Sequence, residues 1–293
     1  MSTSHWLTVV STAGRPSCVA GVTLQIPYCS VPICGPIRSA SYTACVPIVL
    51  VHGVPETDAV WDEFRAHLTE GESITLSPPG FGAPVPEGFG ASSDDYVAWL
   101  TAELERIDGP IDLLGHDWGG GHVFRTVAAR PELVRSWATD LAGCFDPRYV
   151  WHESAQTWQT VRAGEALVAQ RLATSPTDRA PGYVARGMSE DAAARCMEAF
   201  DDSMGGCILA LYRSAAQPQM ADWGADVAGL RSRPGLVIIP ADDPYTGGEA
   251  LARRTAERTG AEVALLSGLG HWWLCQDPQR AATAYRSFVA ALS

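Results

Sequence analysis

The chain contains no lysine: all 21 of its basic residues are arginines, set against 33 aspartates and glutamates. That absence removes Schiff-base aldolase and pyridoxal chemistry, and it removes the P-loop lysine of nucleotide hydrolases. The resulting net charge of −12 argues against nucleic acid or an anionic membrane as a partner. No apolar run approaches the ~18 residues of a membrane helix. The opening MSTSHWLTVV lacks the basic region and the sustained apolar stretch of a secretory signal, so a cytoplasmic location is expected. The eight cysteines form no CxxC pair and no regular framework, which fits reduced thiols in an intracellular protein.

What is present is a long globular chain. Its 293 residues, 46% hydrophobic and 18% charged, can bury a large core. Residues 1–44 stand apart, rich in Ser, Pro and Cys with only Arg15 and Arg38 charged; they are either leading strands (WLTVV, VTLQI) or a loose extension. From residue 45 the pattern sharpens. PIVLVHG reads as a strand buried on both faces, WDEFRAHLTE as a helix, SITLSPPGFG as strand and loop, and DDYVAWLTAELERI as an amphipathic helix. PIDLLG and LVRSWATDLAG read as further strands around the helix GGGHVFRTVAAR. The alternation predicts an α/β fold with a mostly parallel sheet flanked by helices. It stops over 144–225, where DAAARCMEAFDDSM and GGCILALYRSA suggest a helical cap, and it resumes over 226–293. The expected core is therefore 45–143 with 226–293.

The segment LLGHDWGGGH places Asp117 between Gly115 and Gly119, directly after an apolar strand and before a helix. G-x-nucleophile-x-G is the spacing of a nucleophile elbow, a strand-to-helix turn tight enough to need neighbours without Cβ. The N-terminus of the following helix favours an ionised carboxylate, which is a ready nucleophile toward carbon. In this topology an oxyanion hole forms from the amide after the nucleophile and one after an earlier strand, here Trp118 and Val54. The chain order nucleophile, acid, histidine then points to Asp243 or Asp242 in IIPADDPY and to His271 in LSGLGHWW. Taken singly, each feature has an ordinary structural explanation. A glycine-flanked aspartate is common in turns, the Asp pair could cap a helix, and a loop histidine needs no role. Their joint order at successive strand ends favours the functional explanation.

HG-x-P with Trp61, GHDWGG, DDPY and GHWW together resemble the α/β-hydrolase fold superfamily, most closely its epoxide hydrolase branch, over residues 47–292. The resemblance implies that Asp117 attacks an epoxide carbon to form an alkyl ester. His271, oriented by Asp243, then activates the water that hydrolyses it. It also implies proton-donating cap tyrosines. Tyr212 in ALYRS matches the second, whereas the first falls on Thr157 beside Trp158, leaving His152 as a candidate donor. His52, Pro55, Trp151, His152, Trp158 and Trp272 are the expected pocket residues, and the tryptophans suggest a small apolar or aromatic substrate. No cofactor and no metal are implied, and a homodimer is left open.

Haloalkane dehalogenases share the Asp elbow and the tryptophan after it. Their frequent Asn after HG is Val54 here, so a cap tryptophan, Trp151 or Trp158, would have to supply the second halide donor. Fluoroacetate dehalogenases place arginines just after the nucleophile, where this chain has Trp118 and Gly121. Serine esterases are excluded by Asp117. A non-catalytic receptor on the same fold would be expected to lose a triad member, and none is missing.

Overall fold

The structure, a computed structural model, describes residues 46–68 and 73–292. The expectations for residues 1–44 lie outside the described residues. Six strands form one sheet in the order β2-β1-β3-β4-β5-β6. They are β1 (Ile48–Val51), β2 (Ser73–Leu76), β3 (Asp112–Gly115), β4 (Ser136–Thr139), β5 (Gly235–Pro240) and β6 (Glu262–Leu266). Every pairing is parallel. This is the mostly parallel sheet with flanking helices expected from the sequence.

Strand alternation divides the core between the two faces. Val49, Val51, Leu113, Trp137, Val237 and Ile239 pack into one apolar cluster. Leu50, Leu114, Ala138, Leu236 and Ile238 pack into the other. Both faces are therefore covered, as near-continuous apolar strands require. Helices α1 (Asp62–Ala66), α2 (Ser93–Leu104) and α3 (Trp118–Ala129) connect the first four strands. Ser92 begins α2 with a capping box, donating to and accepting from Asp95, which explains the acidic start read in the sequence.

Between β4 and β5 the chain makes a helical excursion: α4 (Glu153–Gln159), α5 (Ala163–Ala173), α6 (Pro176–Val184), α7 (Glu190–Glu198), α8 (Asp202–Ser214), α9 (Gln219–Trp223) and α10 (Ala228–Arg231). The stretch DAAARCMEAFDDSM runs from α7 into the start of α8. Asp201 accepts the Met204 N–H and starts α8 afresh. After β5 come α11 (Gly248–Thr259), then β6, α12 (Trp273–Gln276) and α13 (Pro278–Ala291). Among the described residues no helix is long and apolar enough to cross a membrane.

Register brings the carboxyl ends of the strands level. Val51 pairs with Gly115, Gly115 with Thr139, Thr139 with Val237 and Pro240 with Leu266. The residues just beyond these ends, His52–Glu56, His116–Asp117, Asp140, Asp243 and His271, consequently gather along one edge of the sheet, where ligands bind in such folds.

Candidate active site

Asp117 sits in the turn between β3 and α3 with φ 47° and ψ −127°, a conformation that non-glycine residues rarely adopt. Such a residue costs ~1–3 kcal/mol and persists where its surroundings hold it. The surroundings here are tight. A Cβ on Gly119 would lie 2.1 Å from the Val51 carbonyl oxygen, and one on Gly115 would lie 2.4 Å from the Gly119 oxygen. A Cβ on Gly53 would strike the Asp117 carboxylate itself. The glycine pattern is thus the space the turn requires.

The carboxylate has two different oxygens. Oδ2 accepts the Val54 N–H at 2.9 Å, while Oδ1 faces His271 Nε2 at 4.0 Å. The Trp118 amide is the first of α3 and belongs to the donors a helix leaves unpaired. Burial raises the Asp117 carboxyl to about 6, with the His271 charge opposing the rise. Behind His271, Nδ1 donates to Asp243 Oδ2 at 2.9 Å, and Asp243 Oδ1 accepts the Tyr245 N–H. Burial lowers the His271 imidazole, but the Asp243 charge and hydrogen bond outweigh it and leave the group at about 8. Asp242, the alternative acid of the sequence, is exposed, whereas Asp243 is buried.

A cavity of about 90 Å³ opens over Asp117. Its walls include Val54, Pro55, His152, Trp158, Tyr212, Tyr245, His271 and Trp272. Two expected pocket residues lie elsewhere. His52 is fully buried below the loop with Nδ1 against the Gly53 oxygen. Trp151 stacks on Trp118 and gives its indole N–H to the Ala215 oxygen, so it backs the wall. Thr157 turns its hydroxyl onto the Glu153 carbonyl of its own helix and is not among the lining residues.

Tyr212, on α8, is 3% exposed. Burial pushes its phenol well above the usual range, and the negative charge of Asp117 adds to the rise. The hydroxyl is therefore protonated. His152 caps α4 by accepting the Ala155 N–H on Nδ1. Burial lowers this imidazole to about 4, so near neutral pH its one hydrogen is on Nε2.

The sequence reading missed the supports. His116, fully buried, lies between two carboxylates, with Nδ1 at 2.5 Å from Asp140 Oδ2 and Nε2 at 3.2 Å from Glu56 Oε1. Burial lowers its pKa, but the two carboxylates outweigh this and raise it well above the ordinary value, so it is an imidazolium donating to both. Asp140 Oδ1 also accepts the N–H of Asp117 at 2.9 Å, and Glu56 accepts the Gly53 N–H and the Trp272 indole. Glu56, His116 and His271 bring potential ligand atoms within 4.8 Å of one another, but both nitrogens of His116 are already engaged. A signal existed: HGVPET and GHDWGG each carry a titratable residue beside an apolar strand end. Pairing them required the register of β1, β3 and β4.

Residues 48–284 match the model of the alpha/beta hydrolase family, and the chain belongs to that family. Among particular relatives, it is 24% identical over 253 residues to (E)-2-((N-methylformamido)methylene)succinate hydrolase of Acinetobacter baylyi, spanning 83% of this chain and 90% of the relative. Solved structures with the same fold include a loop variant of haloalkane dehalogenase DbeA from Bradyrhizobium elkanii. It aligns with TM-score 0.64 at 20% identity, over 85% of this chain and 92% of that one. E-2-(acetamidomethylene)succinate hydrolase aligns with TM-score 0.60 at 18% identity, over 84% and 91% of the two chains. The chain is thus a hydrolase of the α/β fold.

Proposed function

We propose that this hydrolase works through an aspartyl ester and opens an epoxide to a vicinal diol, with Asp117, His271 and Asp243 as its triad. Oδ2 of Asp117 is held by the Val54 N–H, which leaves Oδ1 to attack the epoxide carbon. The C–O bond of the ring breaks, and the departing oxygen takes a proton from Tyr212, with the His152 Nε2–H as a second donor. His271 then removes a proton from water, and the resulting hydroxide adds to the ester carbonyl. Negative charge builds on Oδ2, where the Val54 and Trp118 amides oppose it. Collapse breaks the ester and releases the diol, its second oxygen taking the proton from His271. Asp117 leaves the collapse as the free acid and gives its proton to solvent, from which Tyr212 recovers its own.

The observation that carries this reading is the placement of Tyr212. Its phenol lines the cavity that opens over Asp117, and its ring lies edge-on to Trp118 at 5.3 Å. A protonated hydroxyl sharing one cavity wall with a buried carboxylate suits a leaving alkoxide, which is basic and needs a proton. Haloalkane dehalogenation is the second reading. It is favoured by the Trp158 indole N–H, buried without a partner in a residue that lines the cavity. Incubation with styrene oxide and with 1-bromobutane separates the two: diol without bromide release is expected. Bromide without diol would replace the first reading by the second.

A further inference from the structure

Two arginines of the helical excursion line the same cavity as Asp117, and the proposed mechanism uses neither. Arg171 lies on α5 and Arg186 just beyond α6. Arg171 is half-buried over the ring of Trp158, 5.0 Å from its centroid, with Nη1 donating to the Tyr183 hydroxyl at 3.1 Å. Arg186 lies over the Tyr183 ring at 5.6 Å. Among the described residues, neither guanidinium has a carboxylate within 4.0 Å. Asp242 borders an adjoining cavity with Arg186, yet forms no ion pair with it.

A guanidinium presents five donors in a planar fork that matches a carboxylate edge. Arg171 spends one on Tyr183, and the aromatic rings of Trp158 and Tyr183 support both groups from beneath. Ser154 adds a hydroxyl to the same wall. Among the described residues that line this cavity, Asp117 is the one carboxylate.

We infer that Arg171 and Arg186 form a carboxylate-binding subsite, so that the molecule processed at Asp117 is a small carboxylate-bearing electrophile. This rests on the aspartyl-ester reading for what happens to the substrate, but not for its binding. The expectation of a small apolar or aromatic substrate is extended accordingly: the aromatic walls seat the carbon skeleton and the arginines its anionic end. The clamp comes from the excursion and not from the residues after the nucleophile, which are Trp118 and Gly121.

The test uses the full chain and inert ligands. Tryptophan fluorescence is titrated with acetate, propionate, butyrate and phenylacetate, and with the amide of each. At least one acid is expected to bind about tenfold or more tightly than its amide. Arg171→Met and Arg186→Met, checked for native circular dichroism, should collapse that preference, and Arg171→Lys should restore part of it. If no acid in the series is preferred over its amide in the unaltered protein, the inference fails, whatever the variants do. It fails equally if inorganic phosphate binds and no carboxylate does, or if both folded Met variants keep the preference. Reaction with a glycidate and with glycidamide then separates the two claims. A covalent adduct on Asp117 from glycidamide with no acid preference overturns the subsite alone. An acid preference with no adduct from either compound overturns the aspartyl-ester reading alone.

Discussion

Asp117 Oδ1 and His271 Nε2 face each other across 4.0 Å, too far for a hydrogen bond and close enough for each charge to govern the other. With Asp117 ionised, its charge helps to hold His271 protonated, at about 8. Conversion of Asp117 to a neutral ester removes that charge. The imidazole then loses its proton more easily and becomes a base at the moment the ester needs a water activated. On the proposed reading the pair is a switch thrown by the first chemical step.

It follows that attack does not require His271 as a base, whereas ester hydrolysis does. His271→Gln is expected to stall as the alkyl enzyme. Intact-mass spectrometry should show one adduct, and digestion with trypsin should place it on the peptide 107–125. A turned-over epoxide that leaves no adduct would remove the ester mechanism.

The two steps should also differ in pH dependence. Asp117 must be ionised to attack, and burial holds it at about 6, so single-turnover alkylation should fall as pH drops through that value. Hydrolysis needs neutral His271. It should rise with pH, with a midpoint below the free protein's value of about 8, because the ester no longer contributes negative charge. Rapid-quench measurements from pH 5 to 9 read both limbs; an alkylation rate flat across pH 5 to 8 contradicts the assignment.

Asp243→Ala should slow hydrolysis of the ester by ~10²-fold or more while alkylation proceeds, since it removes the group that orients the His271 imidazole. Asp242→Ala, at an exposed side chain, should alter either step by less than about threefold. Stopped-flow recovery after a single turnover distinguishes them. The reverse order of effects would reassign the acid.

The parallel sheet, the elbow at Asp117 and the approximate places of Asp243 and His271 were legible because each is encoded locally, by an apolar run followed by glycine or by an acid and histidine just past a strand. The distinction between Asp242 and Asp243 was not, because it depends on which side chain of an adjacent pair turns inward after β5. Trp151 and His52 were misplaced for the same reason: residue type marks them for burial, and only packing decides between a cavity wall and the layer behind it. The Glu56–His116–Asp140 network joins three strand ends far apart in sequence. No pattern within one segment contains it.

That network makes a prediction about stability. Glu56 accepts from Gly53 N–H, Trp272 Nε1–H and His116, all buried, so Glu56→Leu would strand three donors and a positive charge. Loss of one partner of a buried ion pair costs ~3–5 kcal/mol, and urea unfolding should show a decrease of that order, with Glu56→Gln milder. Burial alone would raise the Glu56 carboxyl; the His116 charge and hydrogen bond reverse this and hold it at about 2, against an ordinary 4.5. Its contribution is therefore present above pH 4.5 and lost as pH falls toward 2. The stability difference between native protein and Glu56→Gln should shrink over that interval, and a difference that stays constant from pH 5 to 3 would show that Glu56 is not held by charge.

The last prediction concerns Tyr212 and separates the two leading reactions. An alkoxide leaving group needs a proton, and a positioned general acid contributes ~10²–10⁴-fold. Halide departs as a stable anion and needs none. Tyr212→Phe keeps the ring that packs against Trp118, Trp151 and Trp158, so the fold should be retained. It removes only the hydroxyl. Alkylation by an epoxide should then slow by an amount in that range. Alkylation by a bromoalkane should be unchanged. Quenched-flow detection of the alkyl enzyme gives both rates directly. An undiminished epoxide rate in the phenylalanine variant would move the proton donor to His152, where His152→Phe should produce the loss; if neither change slows it, epoxide opening is not this protein's reaction.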